Sequence, residues 1–305
     1  MFTVHRVSTS KKDSLEPLGT KRKFWFAGEQ GKRILFKAED RGTGDDWAEK
    51  VACELCRLLG LPHIHYELAI ESEGDVPGVI CENCAEPPTE LVLGNVLLLA
   101  LDPNYPAEEA RRYKVREHTV DAVTDILERL ETPPAAWDEG IPSGIHSAVD
   151  VFVGYVMLDA WIANQDRHHE NWGALWNGTT LFLAPTFDHA ASMARNLTDK
   201  EREERLTTTD RGYQVRAFAR RATSAFYASA EAEKSMTTFE AWRAFAAKSP
   251  EAAAIWSAQL CATSPDDIQD ILEEVPVGRL SEIGRRFTRE LLVENRRRLL
   301  DGDQS

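Results

Sequence analysis

The sequence predicts an α+β protein of two lobes, a small mixed β/α lobe over residues 1–84 and a larger, mostly helical lobe over residues 85–305. Three observations carry this. Strand-like segments cluster with one amphipathic helix in the first 84 residues. Helical periodicity dominates the remainder. The helical part is interrupted between Asp159 and Ser192, where a polar loop and a hairpin signal follow an apolar helix.

In chain order, residues 1–23 are polar and read as a strand and a mobile loop, with Ser8, Thr9, Ser10, Ser14 and Thr20 ahead of the basic cluster Lys21, Arg22 and Lys23. Phe24 to Phe26 and Ile34 to Phe36 read as a hairpin turning through Gly28 and Gly31, with Lys37 ending the second strand. From Asp46 to Leu59, residues Trp47, Val51, Leu55, Leu58 and Leu59 share one helical face, and Gly60-Leu61-Pro62 supplies a C-cap glycine and a breaker. Asp46 and Glu49 have capping-box spacing. His63 and His65 read as strand residues, and Val79 to Cys81 as a strand leading through Glu82, Asn83 and Cys84 to the lobe connection.

Further on, Pro87, Pro88, Pro103 and Pro106 punctuate a stretch that leads into helical sequence from about Glu117 to Leu130, and Gly140 to Gly144 form a loop. The run from Val151 to Ile162, broken only by Gly154 and Asp159, is apolar all round and predicts a buried helix capped by Asp150. It delivers the polar loop Asn164 to Asn171. Trp172 to Trp176 and Leu181 to Ala184 then flank Asn177-Gly178, a strong hairpin signal, and lead to Asp188. Helices are predicted from Asp199, through the alanine-rich stretches between Ala217 and Ala262, after Pro265, and from Leu280 to Leu300. The arginines at 285, 286, 296, 297 and 298 are expected on solvated helix faces, with a protein or tRNA-bearing partner as the lesser alternative.

Asp166, Asn171 and Asp188 make a set with chemical meaning. Phosphoryl transfer needs one carboxylate to accept or orient the nucleophile's proton, and oxygen ligands to hold Mg²⁺ against phosphates. Asp166 suits the first role; Asn171, five residues on, and Asp188 past the hairpin suit the second. The plain alternative is an Asx-type loop at Asp166 and Asn171 with Asp188 capping a turn.

The run Asn164-x-Asp166-x-His168-x-x-Asn171, followed by Leu183-Ala184-Pro185-x-Phe187-Asp188, resembles the paired motifs of HipA-like serine/threonine kinases. Asp166-Arg167-His168 also resembles the catalytic loop of phosphatidylinositol 3/4-kinases. Phe36 to Ala69 is similar to the short HipA-like kinases in wording and order. The resemblance implies a protein-kinase-like two-lobed fold and ATP with Mg²⁺ as cofactors. It implies Asp166 and Lys37 as catalytic residues, and Asn171 and Asp188 as metal ligands. Lys37, Glu49, Glu82, Cys84 and Thr20 would be nucleotide-binding, with Glu49 pairing with Lys37 and Glu54 as its substitute. Asn164 and His168 would support the loop, and Thr20 or Ser14 would be autophosphorylated. It further implies a protein substrate of the kind that toxin kinases modify in the translation machinery, and an antitoxin or regulator as partner. The sequence departs from ordinary protein kinases in lacking G-x-G-x-x-G, with only Gly19 in the expected loop, and in having Asp188-His189-Ala190 where they have Asp-Phe-Gly.

Composition sets the outer limits. The chain has 305 residues, 43% hydrophobic and 28% charged, which is ordinary for a soluble globular protein able to bury a core. The 36 basic and 50 acidic residues give a net charge of −14, which argues against direct DNA binding or anionic membranes as the main target. Its longest apolar runs, Leu91 to Leu101 and Val151 to Ala163, are too short to span a membrane, and a cytoplasmic location is expected. Five cysteines without a signal peptide suggest reduced thiols. Cys53-x-x-Cys56 and Cys81-x-x-Cys84 have zinc-like pairing but are expected as buried small hydrophobes, because the first pair lies in a helix. Two rivals to the kinase reading remain: a metal-dependent phosphohydrolase built on His168, His169, Asp188 and His189, and a non-catalytic kinase-fold interaction module.

Overall fold

In the computed structural model, which describes residues 1–15, 22–28, 31–39, 42–107, 114–137 and 140–301, six strands form one sheet. They are β1 (Val4–Val7), β2 (Lys12–Leu15), β3 (Lys23–Ala27), β4 (Arg33–Ala38), β5 (Tyr66–Glu71) and β6 (Val76–Glu82), in the order β1-β5-β6-β4-β3-β2. All neighbours are antiparallel except β1 and β5. The two-residue period puts Phe24, Phe26 and Phe36 on one face, in a cluster with Val7 and Ala69. Leu35, Leu68, Val79 and Cys81 occupy the other, against Cys53 of helix α1 (Asp45–Leu59). Lys37, two residues after Leu35, therefore points to the α1 side. Helix α1 ends where the sequence predicts, at Gly60 in the left-handed region with φ 72°, its N–H bonded to the Arg57 carbonyl. Its start differs from the capping-box alternative: Gly44 is the N-cap and no side chain caps it, so Glu49 is free to point elsewhere.

The apolar run Leu91–Leu101 divides into strand β7 (Glu90–Leu93) and helix α2 (Gly94–Leu101). Helix α3 (Val120–Leu127) follows, capped by Thr119. The predicted buried helix is α4 (Ala148–Ile162), in which every residue from Val151 to Ile162 is buried. Its cap is Ser147 rather than Asp150; Asp150 is the N3 member of a reciprocal capping box. Gly154 has a packing reason, because a Cβ there would collide with Trp256 and Leu61. Strands β8 (Gly173–Trp176) and β9 (Leu181–Leu183) form the expected hairpin, completed by β7 into a three-stranded sheet. Only Gly178 of its turn takes positive φ, while the Asn177 side chain accepts the N–H groups of Thr179 and Thr180.

Helices α5 (Asp199–Thr207), α6 (Val215–Ala219), α7 (Thr238–Ala246), α8 (Pro250–Ala262), α9 (Pro265–Glu274) and α10 (Glu282–Asp301) complete the helical part; α7, α8 and α10 pack against α4, and α5, α6 and α9 against α10. The solvated arginine faces expected on α10 are corrected in part. Arg285 and Arg298 are buried; Arg285 donates to the carbonyls of Leu272 and Val275, and the Arg298 guanidinium lies 3.7 Å from the Phe239 ring centre. Among the described residues no helix is long and apolar enough to cross a membrane.

His65 lies just ahead of β5, and His63 makes an isolated bridge to Thr186, so neither stands within a strand. His63 and His118 are buried as neutral imidazoles. His63 Nδ1–H donates to the Leu61 carbonyl at 2.7 Å. His118 Nδ1–H donates to the Ala225 carbonyl, while its Nε2 accepts from the Trp172 indole at 3.1 Å. Burial pushes both pKa values down to about 3. As pH falls through the ordinary histidine range, about 6.5, the unfolded chain gains two protons that the folded chain refuses until about pH 3. Their stabilisation is therefore complete above that range and is lost progressively on acidification, by up to about 1.4 kcal/mol per pH unit per histidine. Urea unfolding at pH 7 and pH 5 should show this loss, and His118→Gln should shallow it by about one histidine's share. An unchanged slope would mean that His118 is not held neutral.

Candidate active site

The loop after α4 is built on a buried ion pair. Asp159, on the last turn of α4, receives Arg167 Nε on Oδ2 and Arg167 Nη2 on Oδ1, both at 2.8 Å. This is a bidentate fork, with both side chains almost fully buried. Asp159 Oδ1 also receives the Asn164 amide at 2.8 Å, and Asn164 Oδ1 accepts the Asp166 backbone N–H at 3.1 Å. At the far end Arg167 Nη1 donates to the Asn171 carbonyl at 3.0 Å, and Asn171 Nδ2 donates to the Asp166 carbonyl at 2.6 Å. One carboxylate and one guanidinium thus fix both ends of the Asn164–Asn171 loop. Asp166 is left with a partly exposed carboxylate, and Asn171 with an Oδ1 that no described residue hydrogen-bonds.

His168 lies beside Asp166, with Nε2 3.7 Å from Oδ1. Its Nδ1 accepts the Glu170 N–H, which places the neutral ring's proton on Nε2, facing Asp166. His169 turns away into a buried cluster, where its Nδ1 meets the Tyr105 hydroxyl at 2.9 Å and its ring lies near His118.

Asp188 takes positive φ, 59°, and presents a partly exposed carboxylate. Lys37 Nζ reaches its Oδ1 at 3.4 Å and the Tyr66 hydroxyl at 3.1 Å. Burial draws the Lys37 pKa down, but the charge of Asp188, with Tyr66 and Glu49 behind it, outweighs this and holds it well above the ordinary value. Glu49 is near enough to favour the ammonium. Its Oε1, however, accepts the His189 backbone N–H at 2.8 Å, so its directed bond clamps α1 to the Asp188 segment. Glu54, the substitute partner, instead binds Lys50 and Arg57. Two further ties hold that segment: Thr186 exchanges backbone hydrogen bonds with Pro62 and Ile64, and its hydroxyl meets His189 Nε2 at 2.8 Å. Gln165 N–H reaches the Ala191 carbonyl at 3.4 Å, joining the two loops.

Glu82 and Cys84 line a cavity of about 310 Å³ with Trp137, Leu175 and Thr89. Asn83 closes an Asx turn on Ala85. Thr20 lies outside the described residues. Ser14 is exposed and accepts from Arg33, and Arg22 of the expected basic cluster is bound to Glu71 at 2.9 Å. The cysteines lie on different elements, Cys53 and Cys56 in α1, Cys81 in β6 and Cys84 beyond it, all free thiols, with Cys53, Cys81 and Cys84 in one apolar cluster. Burial raises the thiols of Cys53 and Cys84 to about 11 and that of Cys81 to about 12. No group of three or more His, Cys, Asp or Glu among the described residues is arranged to hold a metal ion, and His168, His169 and His189 have different partners.

Sequence reasoning noted Asp159 only as an interruption in an apolar run. A lone carboxylate in a helix apolar all round needs a buried partner, and Arg167 was the nearest cation in sequence. Tyr66, Tyr105, His118, Trp137 and Thr186 carried no comparable signal, because their roles depend on chain separations that no local pattern encodes.

No protein-family model and no curated protein matches the sequence. Solved structures do. The Helicobacter pylori proinflammatory kinase CtkA aligns with a TM-score of 0.69 at 18% identity, over 94% of this chain and 93% of its own. HipA of Shewanella oneidensis MR-1, solved with HipB and operator DNA, aligns with a TM-score of 0.53 at 12% identity, over 95% of this chain and 67% of its own. The chain thus has the two-lobed α+β kinase fold that the sequence predicts.

The Asp159–Arg167 pair gives a direct test. Asp159→Leu leaves a buried guanidinium without its counter-charge and should cost about 3–5 kcal/mol in chemical denaturation. Adding Arg167→Met should restore most of that stability, because a buried pair replaced by apolar groups is often neutral. Full stability in Asp159→Leu alone would show that the pair does not organise the loop.

Proposed function

We propose that the protein is an ATP-dependent serine/threonine kinase that transfers the γ-phosphoryl group to a hydroxyl of a protein substrate. Lobes meeting after Cys84 would enclose the nucleotide. The observation that carries this reading is the convergence of Lys37 on Asp188 beside a loop whose backbone bonds present the partly exposed Asp166 carboxylate and leave the Asn171 Oδ1 without a hydrogen bond from any described residue.

The donor set fits Mg²⁺-ATP. Asp188 and Asn171 offer one charged and one neutral oxygen, the hard ligands that Mg²⁺ takes together with phosphate oxygens and water. When bound, the metal would neutralise charge on the transferring group. Lys37, kept protonated by its neighbours, would orient phosphates. Asp166 would accept or orient the acceptor hydroxyl's proton, and His168 Nε2–H, facing that carboxylate, would help hold it ionised. The cavity at Glu82 and Cys84, walled by Trp137 and Leu175, has the apolar character suited to a purine. A toxin-type role against the translation machinery and a regulator partner rest on the HipA-like motifs alone.

Two results are expected. Asp188→Ala should lose Mg²⁺-dependent ATP binding in calorimetry, whereas Asp166→Ala should bind nucleotide and fail to transfer labelled phosphate to lysate proteins. Normal binding and transfer in both variants would refute the assignment. Secondly, mass spectrometry of active protein should find phosphate at Thr20 or Ser14, absent from Asp166→Ala; equal modification in both would exclude action in cis. A phosphate there would carry nearly two negative charges beside Lys21 and Lys23 and oppose those of ATP.

A further inference from the structure

The kinase reading names no feature that selects the acceptor, yet one concave surface beside the catalytic loop has the chemistry to do so. Arg211, Arg216, Arg220 and Arg221 line a concavity of about 840 Å³ around α6, on a chain whose net charge is −14. Two of the four are already engaged: Arg216 Nε lies 3.3 Å from Glu294, and Arg221 Nη2 donates to the Gly212 carbonyl at 3.2 Å. Arg211 and Arg220 form no ion pair with any described residue, and the Arg220 Nε is buried without an acceptor. Two guanidiniums lining one concavity without a counter-charge among the described residues offer an incoming anion charge-assisted hydrogen bonds.

The position of this surface gives it a role. Val215, Ala219 and Ala222 pack against Ala163, the residue that ends α4 immediately before Asn164. Thr223, two residues past Arg221, donates its hydroxyl to Gln165 Oε1 at 3.3 Å, beside Asp166. The segment that bears the arginines is therefore tied directly to the loop that carries Asp166.

We propose that this concavity is an acceptor-recognition subsite for an anionic side chain, a carboxylate or a phosphate, carried by the protein substrate close to its phosphorylated hydroxyl. The proposal rests on the kinase reading. A peptide segment suits it better than a nucleic acid. The four arginines line one concavity, whereas the chain's net charge of −14 disfavours an extended polyanion.

The test uses four fluorescein-labelled probes and anisotropy. Three are peptides with one serine followed by glutamates, by phosphoserines or by glutamines, and the fourth is an oligoribonucleotide of equal charge. The wild-type chain should bind one of the two anionic peptides roughly tenfold more tightly than the glutamine peptide, and added KCl should weaken that binding. The preferred anionic peptide distinguishes carboxylate from phosphate. The double variant Arg211→Gln/Arg220→Gln should lose most of the preference while its Mg²⁺-ATP binding and circular dichroism stay as in the wild type. Equal binding of anionic and glutamine peptides, a preference intact in the folded double variant, or tightest binding of the oligoribonucleotide would each overturn the subsite. Loss of the variant's fold would move the decision to the wild-type comparison of peptides and salt. Failure of the kinase reading would appear separately, as absent Mg²⁺-ATP binding with peptide discrimination intact.

Discussion

The Asp159–Arg167 pair is the constraint on which the rest of the site depends. Removing two charges from water carries a desolvation penalty that a single ion pair barely offsets, so such a pair adds little to net stability. What it adds here is position. Its oxygens and nitrogens reach Asn164 at one end of the loop and the Asn171 carbonyl at the other. A loop of short polar side chains has many backbone conformations of similar energy; these directed bonds select one. The Asp166 backbone is thereby fixed at both its N–H and its carbonyl, which presents a partly exposed carboxylate.

The Asp188 segment is fixed from the opposite side. Glu49 reaches across from α1 to the His189 amide, and Thr186 stitches the segment to Pro62 and Ile64 just beyond that helix. Helix α1 therefore carries two effects into the site, a directed hydrogen bond to the segment and a negative charge near Lys37. A displacement of α1 would alter both at once, which couples the strand bearing Lys37 to the position of Asp188 through a rigid element. Only packing can set α1 so closely, and its buried face of Trp47, Val51, Leu55 and Leu59 sits in the same core as α4.

Much of the fold was legible because its elements follow short-range rules. The period-two pattern around Leu35, the face of α1 and its glycine stop, and the all-round apolarity of α4 each read directly from neighbouring residues, although Leu58, expected on the α1 face, is exposed. The failures have a common cause as well. Asp150 looked like a cap because an acidic residue precedes the apolar run, but Ser147 lies one turn earlier with the reciprocal spacing. Glu49 could be read either as a capping partner or as a partner of Lys37; the structure gives it a third bond, to a backbone amide 140 residues away. Long-range backbone acceptors leave no trace in a local pattern.

The arginines show the same division between what sequence clustering suggests and what packing decides. Six arginines lie on α10, three of them consecutive, yet four of the six are directed inward or to neighbours. Arg285 meets carbonyls at the end of α9, and Arg296 meets those of Leu260 and Cys261 at the end of α8, where the helix dipole favours a cation. Arg297 pairs with Glu294, and Arg298 lies over Phe239. These residues join helix ends to one another, and their clustering follows from α10 crossing several helices at once. Around the short α6, Arg216 and Arg221 also find partners, in Glu294 and the Gly212 carbonyl, whereas Arg211 and Arg220 form no ion pair with any described residue. Under the proposed subsite, Arg211 and Arg220 are the cations left to pair with an anion from solution.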